Sequence, residues 1–182
     1  NQGKGAAVCE GMLAALGERI LFADADGSTR INDLERLEAA LSKAGLACGS
    51  RNTQVGSGKV KVQRSWLRSL LMHAFHRFIG LVGVHGINDT QCGFKMLTRQ
   101  CARDCLPQMH LDGWIFDCEL ILMARWLGYP VAEVPVNWEE RSGSKLNVAI
   151  DSIRMALDLV FMRLAYGLGL WRIHSQPPKK TK

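Results

Sequence analysis

The chain is poor in the features that mark a disulfide-stapled or membrane-spanning protein. Its six cysteines are Cys9, Cys48, Cys92, Cys101, Cys105 and Cys118, and they form no CxxC pair and no zinc-type spacing. Most lie in apolar stretches, so they read as buried free thiols of a reducing compartment rather than a disulfide framework. The first residues do not read as a secretory signal segment. No run of about 18 uncharged apolar residues occurs, which excludes a plain transmembrane helix. Acidic residues are missing where it matters most. From Ala39 to Asn88 there is none, while that stretch carries Lys43, Arg51, Lys59, Lys61, Arg64, Arg68 and Arg77. After Asp158 there is again none, and the chain ends in Pro177-Pro178-Lys179-Lys180-Thr181-Lys182.

What is present is a globular composition. The 182 residues are 47% apolar and 22% charged, enough for one domain with a core or for part of a larger one. The formal net charge of +6 favours an anionic partner, such as a nucleotide, a lipid phosphate, a phospholipid head group or a nucleic acid. A nucleic-acid module is disfavoured, since there is no RNA-binding motif and no basic strand studded with aromatics.

Periodicity predicts a helix over Ala6–Leu16 stopped by Gly17, then a strand over Arg19–Ala23. A second helix follows over Asn32–Lys43, with Asn32 and Glu35 at capping-box spacing, and Leu46–Ser50 reads as a buried strand. Arg51–Gln63 is a polar, Gly-rich loop. Gln91–Leu97 and Val131–Trp138 read as strands, Trp114–Leu127 as a helix, and Glu139–Leu146 as a polar loop. Two longer apolar stretches, Trp66–Ile87 and Val148–Trp171, are interrupted by charges and suit amphipathic helices lying in a membrane interface or facing a core. Strands alternating with helices indicate an α/β layered sheet, in which ligands gather at the carboxyl ends of strands. Such a sheet normally has a strand before the first helix seen here, so the expectation is an N-terminally truncated piece. The expected organisation is a domain over 1–146, a C-terminal amphipathic helix over 147–174 and a basic tail over 175–182.

The strongest local signal is Ile20-Leu21-Phe22-Ala23-Asp24-Ala25-Asp26-Gly27. An apolar strand delivers two carboxylates one residue apart, and in a strand residues i and i+2 share a face. Two hard oxygen ligands there suit Mg2+ or Mn2+, which also takes diphosphate oxygens. The bland alternative is one Asp as a helix cap and one in a turn. The same residues also fit the opening of a haloacid-dehalogenase-type phosphatase, with Asp24 as nucleophile and Asp26 as acid/base. That reading needs a later paired-Asp motif at a strand end, and Phe116-Asp117-Cys118-Glu119 sits in a helical pattern instead. Asn88-Asp89-Thr90-Gln91-Cys92-Gly93-Phe94-Lys95 is a polar turn meeting a glycine that allows close backbone approach. In Trp114-Ile115-Phe116-Asp117-Cys118-Glu119, Asp117 and Glu119 do not share a helical face, so at most one faces a site. Arg141-Ser142-Gly143-Ser144-Lys145 sets two cations around a flexible turn suited to phosphate oxygens.

In this order, with Asn1-Gln2-Gly3-Lys4-Gly5, Cys48-Gly49-Ser50-Arg51 and Val136-Asn137-Trp138 between them, these motifs resemble glycosyltransferase family 2. Within it the chain looks most like the eukaryotic branch that loads glucose onto dolichyl phosphate. The resemblance runs from Asn1 to about His174. It implies a GT-A fold, a Rossmann-like sheet flanked by helices, with amphipathic interface helices. It also implies UDP-glucose as donor, dolichyl phosphate as acceptor, a divalent metal, inversion at the anomeric carbon, and the cytosolic face of the endoplasmic reticulum membrane. A mannose-transferring or other polyprenyl-phosphate enzyme is the alternative within the class. On this reading Asp24 and Asp26 hold the metal, and Lys4 and Arg51 line the donor side. Arg64 and Arg68, one helical turn apart, draw in the lipid phosphate, and Arg141 and Lys145 close over phosphates. Asp89 or Asp117 orients the acceptor or contacts sugar hydroxyls.

Overall fold

In the computed structural model the described residues are 2–51, 77, 80, 85–139 and 148–174, with side chains described from 153 onward in the last segment. Chain order is α1 (Lys4–Ala14), β1 (Arg19–Ala23), a 3-10 turn (Ile31–Asp33), α2 (Leu34–Leu41), β2 (Leu46–Ser50), β3 (Phe94–Thr98), α3 (Arg99–Cys105), a second 3-10 turn (Leu106–Gln108), α4 (Phe116–Trp126), β4 (Val131–Pro135) and α5 (Val148–Gly167).

The four strands form one sheet in the order β1-β3-β2-β4. β3 runs antiparallel to both its neighbours, and β2 pairs parallel with β4. The carboxyl ends of β1, β2 and β4 therefore meet the amino end of β3 at one edge. Strand alternation sorts the core into two layers. Ile20, Phe22, Leu46, Cys48 and Leu97 face a large apolar cluster shared with α1, α3, α4 and α5. Ala47, Phe94, Met96 and Val134 face a smaller one closed by Leu37 and Leu41 of α2. The result is a three-layer α/β/α arrangement. By the same alternation Lys95 points into the large cluster, where no solvent reaches it.

Several predicted boundaries shift, and one helix is new. The helix expected from Asn32 has no side-chain cap; Ile31–Asp33 instead forms a 3-10 turn before α2. Asp33 is drawn elsewhere, accepting from the Asn137 amide N–H and from its side-chain Nδ2 at 3.0 Å. The strand expected from Gln91 begins only at Phe94, because Asp89–Gly93 turns around the sheet edge. The helix α3 was not expected at all: its seven residues are too few for a clear apolar period, and Thr98 caps it by accepting from the Cys101 N–H at 3.2 Å. The cysteines are all free, five of them buried. Burial pushes the thiols of Cys9 and Cys92 up to about 11 and those of Cys48 and Cys118 to about 12, so none of these four is a ready thiolate. The amphipathic segment expected over Trp66–Ile87 lies mostly outside the described residues.

Candidate functional site

The sheet edge gathers three ion pairs. The first joins α1 to β1. Gly3 sits at φ 111°, and a Cβ at Gly3 or Gly5 would strike the backbone of Asp112 or Leu111. This close approach lets the Gly5 N–H donate to the Asp112 carbonyl at 2.7 Å. It seats Lys4, whose Nζ lies 2.8 Å from Asp24 Oδ1. The same ammonium stands 5.4 Å and 5.3 Å from the ring centres of Phe22 and Trp114, within cation–π range.

Asp24 lies just past β1, and its N–H donates to the Gly93 carbonyl at 2.8 Å. Its carboxylate sits close against Gly93: a Cβ there would lie 1.9 Å from Asp24 Oδ2. Because β1 stops at Ala23, the rule that i and i+2 share a strand face does not govern Asp24 and Asp26. Asp26 sits in the following turn, exposed, where its Oδ1 accepts the Ser28 N–H at 2.9 Å. That hydrogen bond, helped by Lys4, holds the Asp26 carboxyl below its ordinary value.

The second pair crosses from the end of β2 to the turn before β3. Arg51 grips Asp89 through two parallel bonds, Nε to Oδ2 and Nη2 to Oδ1, each 2.7 Å, and its backbone N–H adds a third at 2.9 Å. Arg51 also stacks 5.5 Å over the Trp138 ring beyond β4. Glu133 of β4 accepts the Asn88 and Asp89 amides, each at 3.0 Å, which fixes the turn. Burial pushes Asp89 up, but the Arg51 bonds and charge outweigh it and hold the carboxyl below its ordinary value.

The third pair is interior. Lys95 Nζ lies 2.7 Å from Asp117 Oδ1 and donates to the Cys92 carbonyl at 2.5 Å. Burial raises the Asp117 carboxyl against the opposing pull of Lys95 and Lys4, and Asp24 adds to the rise. Burial would lower Lys95, yet Asp117 more than compensates and the ammonium stays charged. Glu119, two residues on, faces away: it accepts the His110 and Leu111 N–H groups and the Tyr166 hydroxyl, the last two at 2.7 Å. Only Asp117 of the two thus belongs to the edge.

The Glycosyl transferase family 2 profile matches residues 1–106, more than half of the chain. The chain belongs to glycosyltransferase family 2. Two solved structures share the fold: a glucosyl-3-phosphoglycerate synthase from M. tuberculosis and a mannosyl-3-phosphoglycerate synthase from Rubrobacter xylanophilus. The first has a TM-score of 0.55 at 18% identity, covering 88% of this chain and 55% of that one. The second has a TM-score of 0.57 at 19% identity, covering 98% and 56%. At such identities they speak for the GT-A fold alone. Curated relatives are nearer. The chain is 46% identical to the dolichyl-phosphate beta-glucosyltransferase of Dictyostelium discoideum, over 96% of its own length. It is 44% identical to that of Mus musculus over 95%, and 42% identical to that of Homo sapiens over 95%. It spans 55% of the length of each of these relatives.

Six of the sequence-predicted site residues, Lys4, Asp24, Asp26, Arg51, Asp89 and Asp117, thus lie at or just inside one sheet edge of this family 2 chain. Arg64, Arg68, Arg141 and Lys145 lie outside the described residues. Sequence reasoning missed Lys95, Glu133 and Trp138 as partners. The signal for Lys95 was present: it occupies the inward register between Phe94 and Met96.

Proposed function

We propose that this chain carries the catalytic domain of an enzyme transferring glucose, with inversion, from UDP-glucose to dolichyl phosphate. The observation that carries the reading is the joining of Lys4–Asp24, Arg51–Asp89 and Lys95–Asp117 at one sheet edge. The relatives that bear the name dolichyl-phosphate beta-glucosyltransferase support a glucosyl group as the cargo and dolichyl phosphate as its acceptor.

A divalent cation fits the donor set. Asp24 and Asp26 offer hard carboxylate oxygens, and among the described residues no group of three or more His, Cys, Asp or Glu is placed to hold a metal ion by itself. Mg2+ or Mn2+ needs few protein ligands when diphosphate oxygens and water complete its shell. Bound there, the ion would neutralise charge on the departing UDP. Lys4 then serves as a second cation beside Asp24, and Arg51 lines the donor side with Asp89 holding its fork in place. Arg64, Arg68, Arg141 and Lys145 complete the reading as phosphate ligands. The acceptor phosphate has a second pKa of about 6 and is largely dianionic at neutral pH. A strong base is therefore not needed, and Asp89 and Asp117 act by orientation.

The membrane surface is part of the same proposal. Ile153, Leu157, Phe161 and Leu164 of α5, and Leu168 just past its end, are more than half exposed, Val160 slightly less. At 3.6 residues per turn they fall within an arc of about 100°, opposite the buried Leu159 and Met162. No described helix is long and apolar enough to cross a membrane. An outward apolar face flanked by Arg154 and Arg163 suits an anionic interface, and the cytosolic face of the endoplasmic reticulum membrane is the site of action we infer.

The test is a donor screen on dolichyl phosphate in vesicles. Glucosyl lipid from UDP-glucose, with the β configuration by NMR, is the expected result. Product from GDP-mannose alone, or hydrolysis of phosphoesters without a sugar donor, would overturn the proposal.

A further inference from the structure

A recess of about 270 Å³ opens beside the outward face of α5, lined by Trp126 of α4, by Arg163, Tyr166 and Gly167 of α5, and by Trp171 and Ile173 beyond it. Its aromatic walls are braced. Trp171 stacks on His110 at 4.2 Å with the rings 6° from parallel, and Tyr166 meets Trp126 edge-on at 4.9 Å and Trp171 at 5.3 Å. The Tyr166 hydroxyl is anchored to buried Glu119 at 2.7 Å. Arg163 lies with its Cζ 5.8 Å from the centre of the Trp126 ring.

Arg163 brings a positive charge to the lining of this recess. A guanidinium carries five N–H donors and each indole one, with no acceptor among them. Arg163 faces the Trp126 ring, and the Trp171 indole is held in place by its stack on His110. Glu119, behind the Tyr166 hydroxyl, accepts the His110 N–H on both its oxygens. A guanidinium set against aromatic walls suits an anion. Its setting beside Phe161 and Leu164, both exposed, asks for one attached to an apolar body.

We propose that this recess binds the head-group phosphate of an anionic glycerophospholipid, whose acyl chains lie along the outward face of α5. The proposal rests on the membrane-surface reading above. Arg163 supplies the charge-assisted fork, and Trp126 and Trp171 sit at head-group depth, where indole is favoured. The recess shares no residue with the Lys4–Asp24 edge, so it is a second ligand site and not a part of the donor site.

Co-flotation of the chain with phosphatidylcholine vesicles, with and without phosphatidic acid, tests it. The expected result is binding to both, tighter with phosphatidic acid. Diffuse attraction is worth about fivefold per arginine near an anionic surface, so Arg154→Ala on the other flank of α5 sets that baseline. Arg163→Ala should cost more than tenfold, and Arg163→Lys, which keeps the charge but not the fork, should cost nearly as much. Binding of Arg163→Lys equal to the parent, or equal losses for the two alanine variants, would overturn the site while leaving the membrane reading intact. Complete displacement from phosphatidic acid vesicles by millimolar inorganic phosphate would overturn the lipid as the occupant. No flotation with either vesicle would instead overturn the membrane reading itself. Arg163 is exposed, so these variants should fold, and circular dichroism checks that they do.

Discussion

Substituting Gly93 by alanine separates positioning from stability at the candidate site. Gly93 does not adopt the left-handed backbone that would penalise a side chain. The new methyl group would stand 1.9 Å from Asp24 Oδ2 and 2.2 Å from its Cγ. Backbone there is tied by the Asp24 N–H to Gly93 carbonyl bond of 2.8 Å, so the Asp24 carboxylate must swing away. That breaks its pairing with Lys4. The pair is partly exposed, at 23% and 38%, which limits its worth to about 0.2–1 kcal/mol. Against this, Gly→Ala at a permitted backbone stabilises by about 0.4–1 kcal/mol through the unfolded chain. The two nearly cancel, and Tm should move by no more than about 3 °C. Binding should not be spared. A displaced metal or phosphate-side group typically costs about 10–100-fold. Calorimetric titration of UDP in the presence of Mn2+ reads this directly, beside a thermal melt of the same sample. Unchanged UDP affinity would refute the positioning of Asp24 by Gly93. A loss of more than about 3 kcal/mol in stability would show that the glycine serves the backbone instead.

Other variants probe the remaining pairs. Asp26→Asn should abolish the metal-dependent part of UDP binding; a titration identical to the parent's rejects its metal role. Arg64→Ala with Arg68→Ala should raise the KM for the lipid acceptor and leave UDP-glucose binding unchanged, and a weaker donor affinity would show the two sites divided wrongly. Asp89 is held below its unfolded value, near 3.9, so its stabilisation is present above about pH 4 and drains away as pH falls through the folded pKa. Asp89→Asn should flatten that acid limb in a pH series of melts; an unaltered limb assigns the acid sensitivity elsewhere. Lys95→Met strands a carboxyl with no solvent access and should cost about 3 kcal/mol in urea unfolding. Lys95→Met with Asp117→Leu should recover much of it, and a double variant no more stable than the single one contradicts the pairing.

The legible part of the fold was its apolar register. Arg19–Ala23 and Leu46–Ser50 carry short apolar runs between turn residues, and both strands fall where expected. Boundaries failed where a tertiary partner overrode a local preference. Asp33 is engaged by Asn137, 104 positions away, so the capping spacing of Asn32 and Glu35 had nothing to specify. The turn over Asp89–Gly93 is set by Glu133, Arg51 and Asp24, none of them near in sequence. The candidate site was legible in its residue types and order. Its pairings were not, because ion pairs join side chains from separate elements and leave no spacing to read.

The first turn of α4 shows how one short segment divides two kinds of work. Asp117 and Glu119 are both acids without solvent access, and a helix turns their side chains about 200° apart. Each had to find its own donors, since an unpaired carboxylate in a core is costly. Asp117 found a cation on β3 and so reaches the sheet edge where Lys4 and Asp24 stand. Glu119 found backbone amides and a tyrosine hydroxyl, and so ties the 110–111 loop to α5. The sheet edge with the ion pairs and the helix with the outward apolar face are thus anchored to the same turn, two residues apart. On the function proposed above, that turn links the nucleotide side of the molecule to the side that faces the lipid. Tyr166→Phe removes the Glu119 bond to α5 while leaving Asp117 untouched. It should weaken vesicle binding or lipid turnover with UDP affinity unchanged, and an equal loss of UDP affinity would deny that the two anchors are separable.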